Sequence, residues 1–146
     1  MSHFASGVTV VTTAVGNERS GMTVSAFASL SLEPPLVLVC LHQQAGSHHL
    51  IQRAERFAVN MLAEDQEYLS RCFASHHAEK FVEGSYTISE EGLPLLKDAL
   101  ATIECRLVNV FPGGDHSIFV GHVLRAETSQ KCRPLLYYRS GYHQLD

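Results

Sequence analysis

GMTVSAFASLSLEPPLVLVCL, residues 21–41, decides how the rest of this chain is read. It joins two strand-like runs through short side chains, Thr23, Ser25, Ala26, Ala28 and Ser29. A planar ring can approach the main chain closely over such a segment and hydrogen-bond to its N–H and C=O groups. Glu33, Pro34 and Pro35 then break the run, because proline has no N–H to give to a sheet ladder. PLVLVCL follows as a continuous apolar strand. Read from the residues alone, the same stretch is also an ordinary hairpin with a tight Ser-rich corner.

Outward from this segment the pattern stays β-rich. Residues 8–15 are β-branched, Gly16 and Asn17 signal a turn, and residues 21–30 predict the returning strand of a hairpin. SHHLIQRAER, residues 47–56, predicts a short helix with Ser47 as its N-cap, ahead of a strand at FAVNML. Residues 64–75 predict a second helix, with Leu69, Cys72 and Phe73 on one face and Glu64, Asp65, Gln66 and Glu67 in the first turn. Strands are expected at 86–88, 101–111 and 117–127, the last two reversed by Pro112, Gly113 and Gly114, with two short strands at the C-terminus. Many strands, few helices and no βαβ alternation predict a mainly β fold: an antiparallel barrel with a few flanking helices. A GxGxxG fingerprint is absent, so any nicotinamide must bind by another surface.

At 146 residues the chain is read as one domain, residues 1–146. A formal charge of −4 argues against a nucleic-acid backbone as partner. The longest apolar run is too short to cross a bilayer and no leader pattern is seen, so no membrane is expected and a cytoplasmic location is. Cys40, Cys72, Cys105 and Cys132 form no CxxC pair and are read as reduced, at least partly buried thiols. Nine histidines raise the question of a metal, but His48–His49 and His76–His77 are adjacent pairs, which on a helix point about 100° apart. No dedicated metal site is expected.

GMTVSAFASLSLEPPLVLVCL resembles the signature of the short-chain flavin reductases, an FMN-binding split-barrel family that supplies reduced flavin to two-component monooxygenases. FASGVTVVTT (4–13), RFAVNMLAEDQEYLSRCFAS (56–75), EKF (79–81), GGDHSIFVGHV (113–123) and PLLYYRSGYHQL (134–145) also follow the family's order and spacing. Within that family the blocks resemble those of the reductase components serving 4-hydroxyphenylacetate and other phenol hydroxylases. The family normally carries at least a further helical turn before the first strand, so the short N-terminus is expected to reflect truncation or an unusually late start.

The resemblance implies a split β-barrel of Greek-key type, FMN or FAD as cofactor, and NADH or NADPH as co-substrate. It implies an isoalloxazine ring against Thr23, Val24, Ser25, Ala26 and Phe27, with Ser29 nearby. A second contact region would run from Cys40, Leu41 and His42 to Ser47, His48 and His49, with the flavin phosphate at Ser47 and His49 standing where the family has Thr. Lys80, from EKF, matches a basic position near that phosphate. Asp115 and His116 of GDH, with His122 and Tyr142, match positions on the nicotinamide side. From the residues alone, Asp115 equally completes a turn, His122 equally is a barrel histidine satisfied by backbone, and Tyr142 equally is core. No Arg cluster suits a 2′-phosphate, which leans toward NADH. A homodimer closing each cleft and a separate monooxygenase are the implied partners. The other readings are a flavin- or haem-binding split barrel without turnover and, third, an oxidase of the pyridoxamine-phosphate type.

Overall fold

The computed structural model describes residues 1–76 and 79–146. Seven antiparallel strands make the main sheet: β2 (Thr9–Val15), β3 (Glu18–Val24), β4 (Phe27–Leu32), β5 (Pro35–His42), β6 (Arg56–Met61), β9 (Ala101–Gly113) and β10 (His116–Thr128), in the order β3-β2-β6-β9-β10-β5-β4. β3 and β4 are therefore the two edges, yet only Ser25 and Ala26 separate them in the chain. Six spacings of about 4.8 Å would part the edges of a flat sheet by roughly 29 Å, whereas the three steps from Val24 to Phe27 reach about 10 Å. The sheet must curl until its edges approach at that corner, although β3 and β4 share no ladder. Phe27 N–H closes a tight turn onto the Ser25 carbonyl (3.0 Å), and Cys40 N–H donates to the Ala26 carbonyl (3.0 Å) at the seam.

The inside of the curl is the core. Val11, Val24, Val37, Val39, Leu41, Phe57, Val59, Cys105 and Phe119 fill it from six strands, and α1 (Gly46–Ala54) adds Ile51. Burial pushes the Cys105 thiol up to about 12, so it stays protonated and serves as apolar filling. Cys40 and Cys72 are half-buried; Cys132 is exposed, against expectation.

Outside β2 and β6 sits a second layer: α2 (Glu67–Ala74), the hairpin of β7 (Tyr86–Ile88) and β8 (Pro94–Leu96), and a small sheet of β1 (Ser6–Gly7), β11 (Leu135–Tyr138) and β12 (Gly141–Gln144). Buried Asn60 ties this layer down. Its amide donates to the Val10 carbonyl (2.9 Å) and accepts from Leu96 N–H (2.9 Å), while Thr12 Oγ1 donates to the Pro94 carbonyl (2.6 Å). A buried polar side chain is tolerated when it is satisfied in this way.

Four local expectations are corrected. The run 21–30 is not one strand, because Ser25 and Ala26 break the ladder and hand the chain from one edge to the other. Helix α1 begins with Ala45 at its N-cap and no capping side chain, since Ser47 Oγ is engaged by Ser20 Oγ at 2.6 Å. Helix α2 starts only at Glu67; Glu64 and Asp65 precede it and pair with Arg133 (2.9 Å) and Lys131 (2.6 Å). Pro112 and Gly113 lie inside β9, opposite Ser117 and His116, and the reversal is Gly114-Asp115, with Gly114 at φ 67°. Pro112 is accommodated because β6 pairs only as far as Arg106, so that stretch of β9 has one unpaired edge.

Candidate functional site

A cleft of about 630 Å³ opens where β3, the β5–α1 connection, the end of α2 and Lys80 meet. Four of the expected residues line it: Thr23, His42, Ser47 and Lys80. Its floor is small. A Cβ on Gly46 would meet nothing within 4 Å, so the first turn of α1 faces open space, whereas a Cβ on Gly21 would lie 2.7 Å from Phe73. Gly21 is what lets β3 press against α2.

One end of the cleft suits an anion. The first N–H groups of a helix have no acceptor within it and carry the positive end of its dipole. Ser20 and Ser47 place two hydroxyls beside that turn, and Lys80 Nζ lies 3.4 Å from the Gly21 carbonyl. Together these donors fit a phosphate ester.

The remaining expected residues fall in different places. Ser25, Ala26 and Ser29 are exposed at the seam and on β4, and Phe27 is half-buried against the core. Val24 and Leu41 are core residues, so only their backbone is offered to a ligand. Cys40 is half-buried and pairs with Ile118. His48 turns inward, with Nε2 2.9 Å from Ser117 Oγ and its ring edge-on to Phe119 at 4.9 Å. Burial, with neighbouring His49, holds its imidazole below the ordinary value. His49 is exposed beside it. Tyr142 lies against α2: its hydroxyl is 2.6 Å from Ser70 Oγ, Arg71 sits 5.0 Å over its ring, and Thr23 Oγ1 donates to the Ser70 carbonyl at 2.6 Å.

The turn at Asp115 adjoins the cleft through one rung of the sheet. His42 of β5 pairs with His116 of β10, their rings 5.2 Å apart. His116 Nδ1–H donates to Asp115 Oδ1 (2.7 Å), and His42 Nε2 is 3.9 Å from Asp115 Oδ2. The hydrogen bond from His116 holds the Asp115 carboxyl below the usual carboxylate range. His42 Nδ1 accepts from Gln44 N–H (3.1 Å), fixing the ring. His122 is not part of this cluster. It lies six residues further along β10, roughly 20 Å at strand rise, opposite Leu36, with Nδ1 buried and without a partner.

Sequence reasoning missed Ser20, Gln44, Phe73 and His76 as cleft residues. Ser20 reaches the site because α1 packs on β3, 27 residues away, a contact with no local signal. His77 lies outside the described residues.

Over residues 1–146 the chain matches the family described as flavin reductase like domain. It belongs to that family. The reductase component of a 4-nitrophenol 4-monooxygenase/4-nitrocatechol 2-monooxygenase from Rhodococcus opacus is 44% identical, covering 97% of this chain and 76% of that protein. The reductase component of 4-hydroxyphenylacetate 3-monooxygenase from Thermus thermophilus is 43% identical, covering 99% and 92%. Among solved structures, the NADH:FAD oxidoreductase SgcE6 of Streptomyces globisporus, in complex with NAD and FAD fragments, superposes with TM-score 0.94 at 37% identity, covering 99% of this chain and 88% of that one. For flavin reductase PheA2 the values are 0.91 and 43%, covering 99% and 93%. As a flavin reductase the chain has the split-barrel fold, and the donor set of its cleft fits a flavin: small residues along β3, and a helix N-terminus with two hydroxyls and a lysine for the phosphate.

Proposed function

We propose that this chain, as one domain, is an NAD(P)H:flavin oxidoreductase that reduces FMN or FAD and releases it to a separate monooxygenase. The observation that carries the reading is the cleft in which a small-residue strand, an anion-binding helix start and Lys80 meet, with the His42–Asp115–His116 cluster at its rim. Bound flavin supplies the chemistry, accepting a hydride at N5 from nicotinamide C4. The chain's work is positioning. Residues 23–27, with Ser29 nearby, present backbone to the ring; Cys40, Leu41 and His42 back it; Ser47, His49 and Lys80 form the phosphate end, while His48 anchors the helix start from inside through Ser117. Asp115 orients the His116 imidazole, and with His122 and Tyr142 these are the nicotinamide residues.

Two features support a homodimer. The face of β5 and β10 turned away from the core carries half-buried Leu36, Leu38 and Cys40 opposite half-buried His122 and Ile118 and the buried Val120, with Phe111 next to Ile118 and 49% exposed. None of these is charged, whereas the wet face of an antiparallel sheet is normally polar. A second copy would cover this face, and would let His122 serve a cleft other than the one its own strand borders. Among the described residues no helix is long and apolar enough to cross a membrane, and we place the enzyme in the cytoplasm, with the NAD(P)H it consumes.

Anaerobic stopped-flow mixing of flavin-loaded protein with NADH, and separately with NADPH, tests the reading. Rapid bleaching of flavin absorbance is expected, faster with NADH. Stable oxidised flavin with both nucleotides would leave a binding protein without turnover.

His116→Ala and His122→Ala should each raise KM for NADH and lower turnover about 10- to 100-fold, equivalent to about 1.4–2.7 kcal/mol, while leaving flavin affinity nearly intact. Weakened flavin binding with normal NADH kinetics at saturating flavin would move both residues to the flavin site. A product that must diffuse to another enzyme also requires an open cleft, so dialysis and gel filtration should strip the flavin. Stoichiometric retention would point to a tightly held prosthetic group.

A further inference from the structure

Ser70 of α2 is fully buried and makes two short hydrogen bonds to two other elements. Its carbonyl accepts from Thr23 Oγ1 at 2.6 Å, and Thr23 lines the cleft from β3. Its Oγ lies 2.6 Å from the Tyr142 hydroxyl of β12. A carbonyl oxygen has two lone pairs, so it takes the Thr23 bond without leaving the helix ladder. Tyr142 is held at two further points: Arg71 sits 5.0 Å over its ring, and the Tyr137 ring meets it edge-on at 5.3 Å. Arg71 is itself paired with Glu67 one turn earlier, at 2.9 Å. Nor can α2 come closer to β3, because a Cβ on Gly21 would already sit 2.7 Å from Phe73.

We propose that Ser70 is a positioning residue for hydride transfer. From one point on α2 it sets both Thr23, beside the flavin ring, and Tyr142, on the nicotinamide side, and so fixes the separation of the two rings. The inference rests on the flavin-reductase reading and its placing of these two residues. The Tyr142 hydroxyl is engaged, so what Tyr142 presents to a nicotinamide is its ring. Transfer between stacked rings is sensitive to placement, and a shift of about 1 Å can cost about 100-fold in rate. Ser70 touches neither ring, so its loss should slow transfer and leave flavin affinity in place.

Anaerobic single-turnover stopped-flow at saturating NADH, with a fluorescence titration of flavin, tests this. Ser70→Ala and Tyr142→Phe should each slow flavin bleaching about 10-fold, equivalent to about 1.4 kcal/mol. Flavin Kd should stay within about twofold of that of the unmodified protein. The long-wavelength charge-transfer absorbance of stacked NADH and flavin should weaken in both variants, which lost stability alone would not bring about. The double variant should be no slower than either single one, because both changes remove the same bond. Thr23→Val keeps the backbone offered to the ring but cannot donate to Ser70, and should slow transfer to a similar extent. Multiplied losses in the double variant, single variants that bleach at the unmodified rate, or a fall in flavin affinity that matches the fall in rate would overturn the proposal while leaving the reductase reading in place. If Ser70→Ala does not fold, Tyr142→Phe at its half-buried position carries the test together with Thr23→Val. Absence of bleaching in the unmodified protein would remove the reductase reading and the proposal with it.

Discussion

Ser25→Trp is expected to abolish flavin binding, by at least about 100-fold or 2.7 kcal/mol, in a protein that still folds. Ser25 is exposed, with its carbonyl already used by Phe27 N–H in the turn that joins β3 to β4. An indole there need not displace core, but it would occupy the surface along which the ring is proposed to lie. Ser25→Ala keeps the backbone donors and acceptors and should retain most of the affinity. Fluorescence titration with circular dichroism separates loss of binding from loss of fold. Unchanged affinity in a folded Ser25→Trp protein would sink the assignment of residues 23–27.

The largest stability effect is expected at the contact of β6 with β10. Phe57 is fully buried, and its ring lies so close to Gly121 that a Cβ there would sit 2.6 Å from Phe57 Cζ and 2.7 Å from Cys105 Cβ. Phe57→Ala should cost about 3–5 kcal/mol through lost burial and the cavity left behind. Gly121→Ala should cost about 1–3 kcal/mol through overpacking. The double variant should cost less than the sum, because the new methyl group enters the space the ring vacated, although Cys105 still crowds it. Urea unfolding of the four proteins gives the coupling; strict additivity would mean that the two sites do not share the space described.

Much of the fold is legible because the strands advertise themselves. β2, β7, β11 and the core of the β9–β10 hairpin follow from β-branched runs and turn residues. The join at Ser25 and Ala26 is not legible, since nothing local says that a run of small residues leaves one sheet edge and arrives at the other. Only the curl of the whole sheet decides it. The site divides in the same way. Ser47, Lys80 and Asp115 sit in quotable blocks, but Ser20 enters through helix packing, and the rung that joins His42 to His116 depends on a strand register spanning 74 residues of chain. His122 and His116 look like neighbours in one motif, yet strand geometry puts His116 at the start of β10 and His122 at its middle, six residues on.

The seam between β3 and β4 also ties ligand occupancy to the integrity of the barrel. The segment proposed to receive the flavin ring is the segment that fastens the two edges, so an occupant that bridges it stabilises the closed form by RT ln(1 + [L]/Kd). An enzyme that surrenders its product on every cycle gives up that contribution each time. Local opening should then begin at residues 25–26, with the β5–β10 wall and the Asn60 tether holding the rest together while the cleft stands empty.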